Sequence, residues 1–136
     1  RKSLNLITFS FFVNKNITGL ENTIPTKIKT QKLSTFIESE KITQIDLMKI
    51  DVETHEPEVL EGIGHYLELF QPTLLIEILN DEVGEKVQHL IRNCNYVYFT
   101  IDEINTPIQV EKIEKSKFYN YLICSPEIAK TLNLIV

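Results

Sequence analysis

KIDVETHEPEVLEG, residues 49–62, decides the fold together with TLLIEIL at 73–79. In the first stretch a hydrophobic strand closes on acidic residues, and Pro57 then marks a helix start, because the first turn of a helix has no use for the N–H that proline lacks. In the second, a single acid, Glu77, stands in an aliphatic run. Ligands of open α/β sheets bind where strands end and helices begin. The junction after Val52 and the neighbourhood of Glu77 are therefore where a site is expected.

Outward from there, residues 45–52 (IDLMKIDV) have the mostly apolar interior of a parallel strand buried on both faces. Thr35 and Glu38 stand at capping-box spacing and predict a short helix over about 35–41. Residues 4–13 (LNLITFSFFV) read as a strand, 14–19 as a turn and 21–32 as a polar loop. Val59, Leu60, Ile63 and Leu67 follow helical spacing, with Gly62 and Gly64 dividing two short helices before Gln71 and Pro72 stop them. Asn80 is the expected N-cap of the next helix, whose apolar face is Val83, Val87, Leu90, Ile91 and Cys94. Residues 96–101 (YVYFTI) and 118–124 (FYNYLIC) are further strands, 104–117 is a hairpin or a mobile loop, and Pro126 starts a terminal helix. Alternating strands and amphipathic helices indicate an α/β domain: a mixed, mostly parallel sheet with flanking helices and an antiparallel edge near the end.

The 136 residues suit one domain or a large piece of one. A net charge of −5 argues against a broad grip on nucleic acid or anionic lipid. Lys27, Lys29 and Lys32, and again Lys112, Lys115 and Lys117, are short mixed clusters that read as solvated loop faces. No run approaches the roughly 20 apolar residues of a membrane span. Cys94 and Cys124 form no CxxC pattern and read as buried reduced thiols, which suits a cytoplasmic protein. Asn16 to Thr18 match the glycosylation sequon without other signs of secretion. The chain begins with Arg1 and its one methionine is Met48, so a processed product or a piece of a longer protein is expected.

Asp51 and Glu53 lie two residues apart, and strand alternation would put them on one side. Glu77 joins them if the two strands are neighbours. Three converging carboxylates repel, so each needs a hydrogen-bond donor, a metal or a proton. Lys49, His55 and His65 stand close by in sequence. The plainer alternative has Asp51 and Glu53 capping the following helix and Glu77 paired with a lysine. An oxygen-only set would suit Mg or Ca, but no His–His or Cys–His spacing supports a transition metal, and no metal is assigned. His89 falls off its helix's apolar stripe and reads as surface. Tyr96, Tyr98, Phe99, Phe118, Tyr119 and Tyr121 alternate like strand residues without interleaved basic residues, so they read as core and sheet surface rather than a base-stacking platform.

IDLMKIDVETHEPEVLEG, PTLLIEIL, NYVYF and NYLICSP resemble the C-terminal half of an FkbM-type methyltransferase domain, over roughly residues 29–126. The family's K-I-D-V-E-G-x-E-x-x-V-L-x-G followed by P-x-x-x-x-E is met at Lys49, Ile50, Asp51, Val52, Glu53, Glu56, Val59, Leu60 and Gly62, then at Pro72 and Glu77. KTQKLSTFIE resembles the upstream T-L-D element, with Ser34 in place of its aspartate, and Thr54 stands where the family usually has glycine. The resemblance implies a Rossmann-like methyltransferase fold, S-adenosylmethionine as cofactor, and O-methyl transfer to a hydroxyl of a sugar, lipid or secondary metabolite. It implies that Asp51, Glu53 and Glu77 are catalytic, one of them as general base toward the hydroxyl, and that Lys49, Thr54, His55 and Glu56 lie next to substrate or cofactor.

Gly19, Gly62, Gly64 and Gly84 make no G-x-G-x-x-G turn after a strand. Residues 1–136 are therefore expected to be a partial domain, inactive or weakly ligand-binding alone, without the N-terminal Gly-rich cofactor-binding half. The alternative is a non-catalytic α/β interaction module that retains the fold. In the family's fold strand 45–52 lies beside the first strand of that absent half, so its edge is expected to be exposed. Either residues 4–13 fold back over it, or two chains pair there as a homodimer.

Overall fold

The computed structural model describes residues 6–10, 30–102 and 104–136. Its elements run β1 (Leu6–Ser10), α1 (Leu33–Ser39), β2 (Leu47–Asp51), α2 (Glu56–Ile63), α3 (Tyr66–Phe70), β3 (Thr73–Glu77), α4 (Asp81–Leu90), β4 (Val97–Ile101), β5 (Ile108–Val110), β6 (Asn120–Cys124) and α5 (Pro126–Thr131). One sheet holds the strands in the order β1-β2-β3-β6-β4-β5.

The sheet is mixed, and the expectation of a mostly parallel one is corrected. β1–β2 and β2–β3 are parallel pairs, while β3–β6, β4–β6 and β4–β5 are antiparallel. Parallel neighbours need a crossover segment, and α4 provides one between β3 and β4. β6, however, returns without an intervening helix and inserts between those two strands, so β3 and β4 run the same way without touching.

Local chemistry accounts for most of the elements. Asn80 caps α4 as expected, its Oδ1 accepting from Val83 N at 2.9 Å. Pro57 sits in the first turn of α2, and Gly64, at φ 61°, separates α2 from α3. Ser125 Oγ accepts from Ile128 N at 3.3 Å to cap α5. The helix expected at 35–41 begins two residues earlier, at Leu33, with no side-chain cap. Burial of Leu33 and Ile37, one turn apart on the same helix face, outweighs the Thr35 capping signal.

The larger core lies on one face of the sheet. Met48 and Ile50 of β2 and Leu74 and Ile76 of β3 pack there with Leu33, Ile37, Leu60, Ile63, Leu67, Phe70, Val83 and Val87 from α1 to α4. On the opposite face Phe99, Leu122 and Cys124 pack with Ala129 of α5 and the C-terminal Leu134 and Ile135. That cover stops short of β2. Leu47 and Asp51 stay half-buried and Lys49 exposed, so β2 is buried on one face rather than two. Cys94 and Cys124 are free and buried, as expected.

β1 pairs with β2 from Leu6↔Leu47 to Ser10↔Asp51. The edge of β2 expected to be exposed is therefore covered by part of the 4–13 segment, and a homodimer is not needed to protect it. Residues 11–13, the sequon at 16–18, Lys27 and Lys29 lie outside the described residues.

The segment expected as a hairpin or mobile loop is the hairpin, with β5 on β4. The residues that follow are pinned to α4: Ile113 N donates to Gln88 Oε1 at 2.9 Å and Lys115 N to Asp81 Oδ1 at 2.8 Å. Tyr121 Oη donates to Glu114 O at 2.6 Å. Lys112, Lys115 and Lys117 stay exposed, the last two beside the rings of Tyr119 and Phe118.

Candidate functional site

β2 and β3 end side by side. Ile50 pairs with Ile76 and both point into the larger core, so the next residue on each strand, Asp51 and Glu77, faces the other way. Carboxylate oxygens of Asp51, Glu53 and Glu77 all lie within 4.8 Å of one another. The three residues singled out in the sequence are thus brought together at the carboxyl ends of two parallel strands.

Glu53 arrives there by a different route from the one expected. β2 ends at Asp51, so strand alternation does not reach Glu53. The chain turns instead through two successive left-handed residues, Glu53 at φ 54° and Thr54 at φ 76°. His55 N donates to Val52 O at 3.3 Å across this turn. Glycine at the position of Thr54 would adopt that conformation freely, whereas a β-branched residue there is a genuine outlier, at a cost of about 1–3 kcal/mol. Thr54→Gly is therefore expected to stabilise the chain by about 1 kcal/mol after the extra unfolded-state freedom of glycine is subtracted. Urea unfolding measures this, and a lower midpoint for the variant would contradict the strained turn.

The capping alternative is not adopted. α2 takes no side-chain cap from Asp51 or Glu53. Lys49 Nζ instead sits 2.8 Å from Asp51 Oδ2, with both side chains more than a third exposed, where a pair contributes little to stability. His55 Nδ1 lies 3.5 Å from Glu58 Oε1. The His65 ring packs on Tyr66 at the start of α3, centroids 4.1 Å apart.

Burial is the main cause that pushes the Glu77 carboxyl above the ordinary range, and the charges of Asp51, Glu53 and Glu56 add to it while Lys49 opposes. Glu56 is fully buried at 0% exposure. Its carboxyl is also raised, first by desolvation, against the backbone amides of Glu56, Val52 and Thr54, with Asp51 pushing further upward. In the unfolded chain both groups take the ordinary value of 4.5. Between that value and the raised ones the folded state holds more protons, so stability falls as pH rises through the window and is level above it. Acidification through that window is thus expected to stabilise the protein. Glu82, Asp102 and Glu127, whose values are lowered, give the opposite slope at more acid pH. Urea midpoints across the range check this; a Glu56→Gln, Glu77→Gln double variant should lose the rise.

One residue at the cluster carries no sequence signal. Asn120 pairs across the antiparallel ladder with Glu77, which puts its side chain on the same face beside the carboxylate. Asn120 Nδ2 donates to Phe118 O at 3.1 Å. Only the register of β6 makes it a neighbour.

No described helix is long and apolar enough to cross a membrane. Neither a curated protein nor a solved structure matches the chain. A family model described as the Methyltransferase FkbM domain matches residues 5–98, a span that takes in the whole Asp51, Glu53 and Glu77 cluster. With more than half of its length so matched, the chain belongs to the FkbM methyltransferase domain family.

Proposed function

We propose that this chain supplies the acceptor side of an FkbM methyltransferase that transfers a methyl group from S-adenosylmethionine to a hydroxyl of a sugar, lipid or secondary metabolite. The observation that carries this reading is Glu77, a carboxyl with raised proton affinity within 4.8 Å of Asp51 and Glu53 at the mouth of two parallel strands. Methyl transfer to oxygen requires loss of the hydroxyl proton, and a carboxylate shifted toward neutrality suits a general base. In this reading Glu77 accepts that proton. Asp51 and Glu53 accept hydrogen bonds from further hydroxyls of the acceptor and orient it. Lys49 neutralises one of the three charges through Asp51.

The described residues do not fit the methyl donor itself. Gly62 lies within α2, Gly64 ends it, and Gly84 is inside α4 against the Ile113 backbone, so none opens a loop after a strand. We therefore place the donor in a glycine-rich half supplied outside these residues. The test is transfer of labelled methyl to a panel of polyol, glycan and glycolipid acceptors, with the chain alone and mixed with the glycine-rich half of another family member. Transfer only in the mixture is expected. Transfer in neither sample would favour a non-catalytic interaction module.

A further inference from the structure

Among the described residues Glu56 is the one fully buried charged side chain. Its Oε1 accepts from Val52 N at 3.2 Å, while Oε2 has no hydrogen bond of good geometry, the amides of Glu56 and Thr54 only lying near enough to lower the carboxyl's proton affinity. A carboxylate kept from water with one oxygen unanswered is unfavourable, so a compensating role is called for. Val52 is the residue between Asp51 and Glu53, and the strained pair Glu53–Thr54 lies between Val52 and Glu56. The Glu56 carboxylate thus closes a loop over the residues that carry Glu53 away from β2.

We infer that Glu56 is a positioning residue: its Oε1 bond to Val52 N holds the left-handed Glu53–Thr54 turn, and that turn brings Glu53 to Asp51 and Glu77. At 0% exposure Glu56 does not itself present a group to a ligand in this structure. The functional meaning of the inference rests on reading the three-carboxylate cluster as the acceptor site; its geometry does not.

A rival role is available to any acid in the first turn of α2, namely charge toward the positive end of the helix. The two roles part on substitution. Glu56→Gln removes the charge but keeps an acceptor oxygen for Val52 N; Glu56→Ala removes both. The experiment follows the Glu77 carboxyl carbon by ¹³C NMR titration in the parent chain, Glu56→Gln, Glu56→Ala and Glu53→Gln. Positioning by Glu56 keeps the Glu77 midpoint raised in Glu56→Gln, which loses only the Glu56 charge, an influence on Glu77 smaller than that of Glu53. In Glu56→Ala the midpoint falls further, toward that of Glu53→Gln. Equal midpoints in the Gln and Ala variants overturn the inference.

Both variants are also made in a Thr54→Gly background, which preserves the readout if Glu56→Ala alone fails to fold. Glycine makes the turn easy without help, so the Ala variant should then keep Glu77 raised nearly as well as the Gln variant. In urea the unfolding constant should respond to Glu56→Ala about fivefold less in that background. An undiminished response also overturns the inference. Neither readout uses a methyl donor or acceptor, so failure of the transfer assay would leave this result standing.

Discussion

Glu77→Gln is expected to lower methyl transfer by about 100-fold or more in the reconstituted domain, the usual contribution of a positioned general base. The amide keeps the shape of the carboxyl and can still accept a hydrogen bond, but it cannot take the proton of an acceptor hydroxyl. The loss should appear in kcat, with a smaller change in the KM for the acceptor, because orientation by Asp51 and Glu53 survives. The acid limb of the parent pH profile should report the raised Glu77 carboxyl and vanish in the variant. Folding should not suffer: removing one of three carboxylates packed within 4.8 Å relieves repulsion, so the urea midpoint at neutral pH should hold or rise. Full activity in a folded Glu77→Gln variant would take the base role away from this residue.

Gly84→Ala is expected to destabilise the chain by about 1–3 kcal/mol, the range for overpacking a tight contact. Helix propensity alone predicts the reverse, a gain of roughly 1 kcal/mol for alanine inside α4. Packing decides the sign. A Cβ at position 84 would overlap the Ile113 carbonyl oxygen and stand 2.9 Å from its carbon and 3.1 Å from Glu114 Cα. These are backbone atoms, and they cannot swing aside as a side-chain tip would. The same segment is held to α4 through Gln88 and Asp81, so relief of the clash means breaking those bonds. Urea unfolding of Gly84→Ala gives the answer directly, and a stabilised variant would mean that the segment does not lie on α4.

Short-range chemistry was legible in the residues alone. Pro57 at the start of α2, Asn80 as a cap and Gly64 as a break each act within a few positions of themselves, and the fold uses each as expected; the apolar runs form the strands β2 and β3, although β2 is buried on one face only. The approach of Asp51 to Glu77 was legible on the condition that their strands are neighbours, which the parallel pairing of β2 with β3 meets.

What the tertiary structure decided involves partners distant in sequence or conformations that local preference opposes. Strand periodicity tells which face a residue occupies but not which strand lies beside it, because register and order depend on long-range pairing. The insertion of β6 between β3 and β4, the meeting of Asn120 with Glu77 and the seating of β1 beside β2 were settled at that level. So was the docking of residues 113–115 on Gly84, since nothing near position 84 specifies what lies opposite it. The route of Glu53 into the cluster is the sharpest case. Threonine at 54 disfavours a left-handed turn, yet the turn forms, because the bond between buried Glu56 and Val52 and the packing of α2 outweigh a local penalty of a few kcal/mol at most.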